Sequence, residues 1–285
     1  MAHRHRQLRE TFLEDHRLNI KYSVANEIAT IELSRPQRRN SFTLEMVDGW
    51  AAALEDAGRD PVVRAVIVTG GADAFCAGVD LDEFAALEDT PLSHKQMLTD
   101  RVHAVSRALA RIDKPVVAAV NGVAVGAGMD MALMCDLRFA ARSARFSEGY
   151  IRLGLVPGDG GCYLLPRLVG VAKALELLWS GEFVDAEEAL RIGIVNRVYE
   201  DDELMERTRY YLGNVLRAPS LPLGIIKRVT YQSSSMDLAT SLDVISSHMA
   251  VVQSTDEARA ALARMRAAMR DESGGSCSIA ATDAR

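Results

Sequence analysis

Apolar residues along this chain fall into two rhythms that alternate up to about residue 200. Short blocks bounded by turn formers, Ile20 to Val24, Ile28 to Leu33, Ala65 to Thr69 and Pro115 to Val120, have the length and β-branched content of strands. Ala25-Asn26-Glu27 reads as the turn between the first two. Between the blocks the spacing becomes helical. Leu44, Val47, Ala51 and Leu54 mark one face of a helix through about Arg59 with Thr43 as its N-cap, and a second helix is predicted from about Ser93 to Ile112. Further strands are expected at Asp136 to Ala140, Ala144 to Ser147 and Ile194 to Val198, and helices over 161–169, 171–180 and Ala186 to Ile192, the last capped by Asp185. Beyond 202 only helices are predicted, over 202–217, 220–234, 237–253 and 256–270. Alternating strands and helices imply crossover connections and parallel strands, so the fold class is α/β with a C-terminal helical region. The expected organisation is a mobile arm over 1–17, an α/β core over 18–200, helices over 201–270 and a Ser/Gly-rich disordered tail over 271–285.

Two strand-to-loop transitions hold the candidate chemistry. The Pro115 block runs through Asn121-Gly122 to Gly126-Ala127-Gly128 and then into helix-forming Met129-Asp130-Met131. A glycine-rich turn that opens a helix leaves backbone N–H groups without intrahelical acceptors, at the positive end of the helix dipole. Asp130, three residues after Ala127, shares its helix face. The Ala65 block feeds a similar loop, Gly70 to Gly78, followed by Val79, Asp80 and Leu81. Ligands of parallel sheets bind beyond the carboxyl ends of the strands, and one N–H from each loop would make an oxyanion hole. A further glycine-dense loop, 154–161, contains Asp159.

Composition narrows the classes. The chain has 285 residues, 48% hydrophobic and 25% charged, enough for a substantial core. A net charge of -6 with a pI near 5.6 argues against a nucleic-acid binder, while leaving room for a local basic pocket around Arg35, Arg38 and Arg39 that would suit phosphate. The four cysteines, Cys76, Cys135, Cys162 and Cys277, show no metal-ligand spacing and read as free thiols of a reducing compartment. The Arg- and His-rich start lacks an apolar core, so no secretory signal is expected, and no apolar run is long enough for a membrane span. A cytoplasmic protein without metal is the expectation.

In their order and spacing these segments resemble the crotonase superfamily, the enoyl-CoA hydratase/isomerase fold, a spiral of repeated ββα units. The resemblance runs from about Ile20 to Arg270. It is carried by Arg35-Pro36 with Asn40-Ser41, by Ala74 to Leu81, by Asn121-Gly122 with Gly126-Ala127-Gly128, by Cys135-Asp136, by Gly154 to Gly161 and by Leu165 to Gly170. It implies an acyl-CoA thioester as ligand, with coenzyme A part of the substrate and no tightly bound cofactor. The thioester oxygen would be held by the N–H groups of Val79 and Ala127. The resemblance further implies CoA contacts from Arg35, Arg38, Ala77, Asp80 and Leu81, with Arg266 of the last helix reaching the CoA of a neighbouring subunit. The 201–270 helices would then build a homotrimer or a dimer of trimers.

The chain departs from the hydratases where chemistry is decided. Their two glutamates fall at Asp130, one methylene shorter, and at Tyr150, whose ordinary pKa of about 10 makes it a poor base at neutral pH. Dienoyl-CoA isomerases of the family carry an aspartate where Gly158 stands, one residue before Asp159. The expected catalytic set is therefore Asp130 with Asp159 or a Tyr150-held water as counterpart. Alternation from Phe146 turns Glu148 away from the site, Asp80 and Asp82 also suit helix caps, and His94 and His103 read as non-catalytic helix positions. Hydration, double-bond isomerisation, ring-opening hydrolysis of a β-ketoacyl-CoA and a catalytically impaired CoA-binding relative all stay open at this point.

Overall fold

A computed structural model describes residues 11–15, 19–86 and 88–275. Strands β1 (Thr11–Asp15), β2 (Ile20–Ala25) and β3 (Ile28–Leu33) pair antiparallel, the last two across Asn26 and Glu27, which both have positive φ. The chain then repeats a unit of two strands and a helical segment. After α1 (Leu44–Arg59) come β4 (Ala65–Gly70), β5 (Ala74–Cys76) and the helices α2 (Leu81–Ala85), α3 (Pro91–Gln96) and α4 (His103–Arg111). Next are β6 (Val116–Val120), β7 (Val123–Val125) and α5 (Ala127–Leu133), then β8 (Leu137–Ala141), β9 (Arg145–Ser147), α6 (Gly161–Val169) and α7 (Val171–Ser180). A compact unit closes at Leu216 with β10 (Val184–Asp185), α8 (Ala186–Arg191), β11 (Arg197–Tyr199) and α9 (Leu204–Val215).

The first strand of each repeat joins a seven-stranded sheet, ordered β1-β2-β3-β4-β6-β8-β11, and the second joins a four-stranded sheet, ordered β10-β9-β7-β5. From β3 onward the large sheet is parallel, as crossover connections require. Every residue of β4 and β6 is buried, which is why they read as continuous apolar runs. Strands β5 and β7 escape the sequence reading because three residues between glycine-rich corners carry no period. Two amide side chains, the buried Asn40 and the partly exposed Asn121, hold the corners. Asn40 donates to the carbonyls of Gly71 and Ala74 at 2.9 and 2.7 Å, and Asn121 accepts from the Gly70 N–H at 3.0 Å and donates to the Ala72 carbonyl at 2.6 Å. Thr43 caps α1 and Asp185 caps α8 as the sequence predicts.

Helix α9 belongs to this first unit, so the boundary lies beyond the expected residue 200. Leu204, Thr208 and Leu212, at i, i+4 and i+8, form a buried face that packs on β6, β8 and β11. Part of the expected mobile arm, Thr11–Asp15, is strand β1, and the rest of it lies outside the described residues. The second unit, from Arg217, contains α10 (Ser220–Ser233), α11 (Leu238–Gln253) and α12 (Asp256–Gly275), which pack consecutively. Helix α12 extends into the stretch expected to be a disordered tail, and the remainder of that stretch is outside the described residues. Among the described residues no helix is long and apolar enough to cross a membrane.

Candidate active site

An apolar cavity of about 440 Å³ opens where β5 and β7 end. Val79, Ala127, Tyr150 and Asp159 line one side, and Phe84, His94 and Leu98 contribute to the other walls. The long helix expected over 93–112 is instead broken: α3 ends at Gln96, a wide π-type turn spans Met97–Val102, and α4 starts at His103. Met97, Leu98 and Val102 of that turn line the cavity, in keeping with the association of such turns with binding sites.

Backbone pairing aims the two N–H groups. The Phe42 N–H donates to the Gly78 carbonyl at 2.8 Å, and the Asp80 N–H donates to the Phe42 carbonyl at 2.9 Å. Alternation along a strand therefore points the Val79 N–H away from Phe42. Ala127 is the first residue of α5, so its N–H has no intrahelical acceptor. Its nitrogen lies 3.7 Å from the point where a Gly78 side chain would begin. Gly128 sets this spacing: a Cβ there would sit 2.1 Å from the Cys76 carbonyl oxygen, so only glycine lets α5 press against β5. Gly128→Ala is expected to destabilise the fold by about 1–3 kcal/mol or more. The check is chemical denaturation, and a midpoint matching the parent protein would show that the contact relaxes freely.

Tyr150 bridges two carboxyls. Its hydroxyl lies 2.7 Å from Asp130 Oδ2 and 3.0 Å from Asp159 Oδ2. Asp159 is 5% exposed and lines the cavity, whereas Asp130, at 0%, is behind Tyr150. Glu148, only 1% exposed, faces Asp130 from the end of β9. A Cβ on Gly161 would meet Asp130 Oδ1 at 2.5 Å and the two Glu148 oxygens at 3.0 and 3.1 Å, so three carboxyl oxygens converge on that glycine. The expected outward turn of Glu148 is thus corrected. The strand ends at Ser147, and Glu148 leaves the β region with ψ 60°, which breaks the alternation. His103 also acquires partners: its Nε2 is 2.8 Å from the Gly158 carbonyl and 3.8 Å from Asp159 Oδ1.

Burial dominates the electrostatics. It raises Asp130 from an ordinary 3.8 to about 7, opposed by the Tyr150 hydrogen bond and reinforced by the Asp159 charge. Burial and the Asp130 charge drive Glu148 higher still, to about 10. Asp159 is raised by burial, with the Tyr150 hydrogen bond and the His103 charge opposing. Burial and the carboxylates put the Tyr150 phenol well above its usual value. A carboxyl whose pKa rises on folding contributes its stability below the unfolded pKa and loses it as pH rises through the folded one. For Asp130 that window runs from 3.8 to about 7. Asp130→Asn should therefore melt above the parent protein at about pH 8, by roughly 2–4 °C per kcal/mol of burial cost removed, and the gap should close below about pH 4. Parallel melting curves across that range would contradict the assignment.

The enoyl-CoA hydratase/isomerase family model matches residues 23–267. The chain belongs to this family. It is 37% identical over 222 residues to the 1,2-epoxyphenylacetyl-CoA isomerase of Escherichia coli K12, covering 78% of this chain and 85% of the relative. It is 31% identical over 245 residues to a short-chain-enoyl-CoA hydratase of Clostridium acetobutylicum, covering 86% and 93%. A Thermobifida fusca YX protein solved in complex with CoA superposes with a TM-score of 0.75 at 33% identity, covering 82% of this chain and 92% of that one. This member of the enoyl-CoA hydratase/isomerase family is thus an acyl-CoA-processing enzyme of the hydratase/isomerase type, on the crotonase spiral.

The residues expected at the CoA of this family member occupy varied settings. One Arg35 Nη donates to Asp80 Oδ2 at 2.6 Å, to the Ser41 carbonyl at 2.9 Å and to the Ser41 hydroxyl at 3.2 Å, with the side chain 15% exposed. Asp80 in turn caps α2 by accepting from the N–H groups of Asp82 and Glu83, and the Arg35 guanidinium beside it holds its carboxyl below the usual range. Arg38 is exposed and pairs with Asp82 at 2.9 Å. The Ala77 N–H donates to the Arg39 carbonyl at 3.0 Å, and Leu81 is exposed. Arg266 lies exposed on α12 in the second unit.

Proposed function

We propose that this family member moves a proton between carbons of an acyl-CoA thioester, shifting a double bond through an enolate. The observation that carries the reading is the one buried carboxyl on the cavity wall: Asp159 lines it, whereas Asp89, the other carboxyl there, is fully exposed beside His94, and Asp130 is buried behind Tyr150. The Asp159 carboxylate takes a proton from carbon, and the electron pair moves into the conjugated thioester and onto its oxygen. The Val79 and Ala127 N–H groups hold that oxyanion, a contribution worth about 2.7–4 kcal/mol per donor in the transition state. Returning the proton to a different carbon completes the isomerisation without net change of charge. The Tyr150 hydroxyl links Asp159 to Asp130, so the proton on Asp159 is exchanged with a buried partner. The likeness, at 37% identity, to a protein named 1,2-epoxyphenylacetyl-CoA isomerase supports an isomerisation of a CoA ester in general, not the double-bond shift in particular.

Coenzyme A enters as part of the substrate. Arg38, Ala77 and Leu81 are proposed on its side of the site, with Arg266 supplied by a neighbouring copy in a homotrimer or dimer of trimers in the cytoplasm. The deciding experiment incubates the enzyme with enoyl-, dienoyl- and β-ketoacyl-CoA esters in deuterated, heavy-oxygen water. Deuterium incorporation without oxygen incorporation is expected. Oxygen in the product would assign hydration or hydrolysis instead, and binding without any turnover would mark a CoA-binding protein.

A further inference from the structure

We infer that Glu148 is the resident neutral acid of the site, sharing its proton with Asp130 and thereby positioning the Asp130–Tyr150–Asp159 chain. The inference rests on the reading of Tyr150 and Asp159 as the cavity face, and adds to it a buried fourth member. Counting protons leads to it. Tyr150 has one phenolic hydrogen but touches two carboxyl oxygens, Asp130 Oδ2 at 2.7 Å and Asp159 Oδ2 at 3.0 Å. It can donate to only one of them, and the other contact is a hydrogen bond only when that carboxyl is protonated. At the far end Asp130 Oδ1 and both Glu148 oxygens converge on Gly161; the Gly161 N–H favours the charged form of Asp130, and no side-chain N–H or hydroxyl among the described residues donates to any of the three oxygens.

Two ionised carboxylates are strongly disfavoured side by side when both are this deeply buried. The groups facing the pair are Asp159 from its loop, Tyr150 from the turn after β9 and the Cys162 thiol of α6, with His103 of α4 reaching only Asp159. Among the described residues no lysine or arginine pairs with Asp130, Glu148 or Asp159, so a proton has to bridge the pair. Geometry says which member keeps it. Asp130 accepts from the Tyr150 hydroxyl and sits in the first turn of α5, both of which favour its ionised form, whereas Glu148 has no such donor. Glu148 therefore donates to Asp130 Oδ1. Asp130 is held against Tyr150, and Tyr150 is held against Asp159.

The test pairs Glu148→Gln, which keeps a donor at this place but cannot titrate, with Glu148→Met, which removes it. Infrared difference spectra of the unliganded proteins in deuterated water are recorded at about pH 8, above the value to which burial raises Asp130. A protonated buried carboxyl band is expected in the parent protein at that pH and is lost in both variants. Solvent-deuterium exchange into butyryl-CoA is then followed against pH. Glu148→Gln should stay within about threefold of the parent rate with an unmoved profile. Glu148→Met should lose about tenfold in rate at unchanged KM, with the acidic limb shifted up by about one pH unit, because an ionised Asp130 without its donor is harder to form. Persistence of the band in Glu148→Gln, or a parent-like profile in Glu148→Met, overturns the assignment. Should Glu148→Met melt out, the band and profile of Glu148→Gln still decide. Should the parent protein exchange no deuterium, the proposed chemistry fails while the infrared result still judges Glu148.

Discussion

Asp159→Asn should abolish turnover while leaving the binding of CoA esters intact. An asparagine preserves the shape, and its amide N–H can donate to the Tyr150 oxygen across the contact now 3.0 Å long. It cannot take a proton from carbon, however, and general-base catalysis of this kind is worth about 10²–10⁴-fold. The loss should appear in kcat, with KM changed by only a few-fold, since the apolar cavity walls proposed to hold the acyl chain are untouched. Retention of deuterium exchange within about fivefold of the parent rate would transfer the role of base elsewhere in the cluster. Tyr150→Phe provides the comparison. It leaves the Asp159 carboxylate on the cavity wall but cuts its link to Asp130, so it should be the milder variant. Equal losses would mean that the hydroxyl, rather than the carboxylate, handles the proton.

The second large effect is expected at a residue that touches no substrate in this reading. Arg35→Met should destabilise the first unit by about 3 kcal/mol, because it leaves the Asp80 carboxylate buried without its cation. For a unit of this size that corresponds to a loss of roughly 6–12 °C in Tm. The Asp80 pKa is lowered in the folded state, so its pairing contributes stability above the unfolded pKa and loses it as pH falls through the folded one. The deficit of the variant should therefore be full at neutral pH and shrink in acid. Val79 immediately precedes Asp80, so loosening this pair also releases one of the two proposed oxyanion donors. A misplacement of that kind lowers kcat by up to about 100-fold. If Arg35 instead binds CoA phosphate, as the resemblance to the family implies, KM should rise with kcat unchanged. The two kinetic patterns separate a positioning role from a phosphate contact.

The reach of the sequence is clearest at particular elements. Periodicity and caps located α1 after Thr43, α8 after Asp185 and the wholly buried β4 and β6, because each depends on neighbours within a few residues. The three-residue strands β5 and β7 carry no such local signal, yet they lead into the loops bearing Val79 and Ala127. The break at Met97–Val102 inside a convincing helical pattern was equally silent, since a wide turn that lines a cavity is chosen by tertiary packing. Glu148 was lost to an alternation rule that stops holding where β9 ends.

The sequence by itself determined the family, the α/β class, and the presence of glycine-opened helix termini beside candidate carboxylates, since order and spacing of short motifs carry that information. It could not order those carboxylates in space. Residues 130, 148, 150 and 159 lie on α5, at the end of β9, in the turn after it and on the loop before α6. Only the crossing of these elements decides that Asp159 faces the cavity, that Tyr150 stands between it and Asp130, and that Glu148 closes the chain over Gly161. The same crossing removes water from the cluster. Burial, more than any sequence neighbour, raises the pKa values of all four groups, and that shift is a property of the packed interior that no reading of adjacent residues contains.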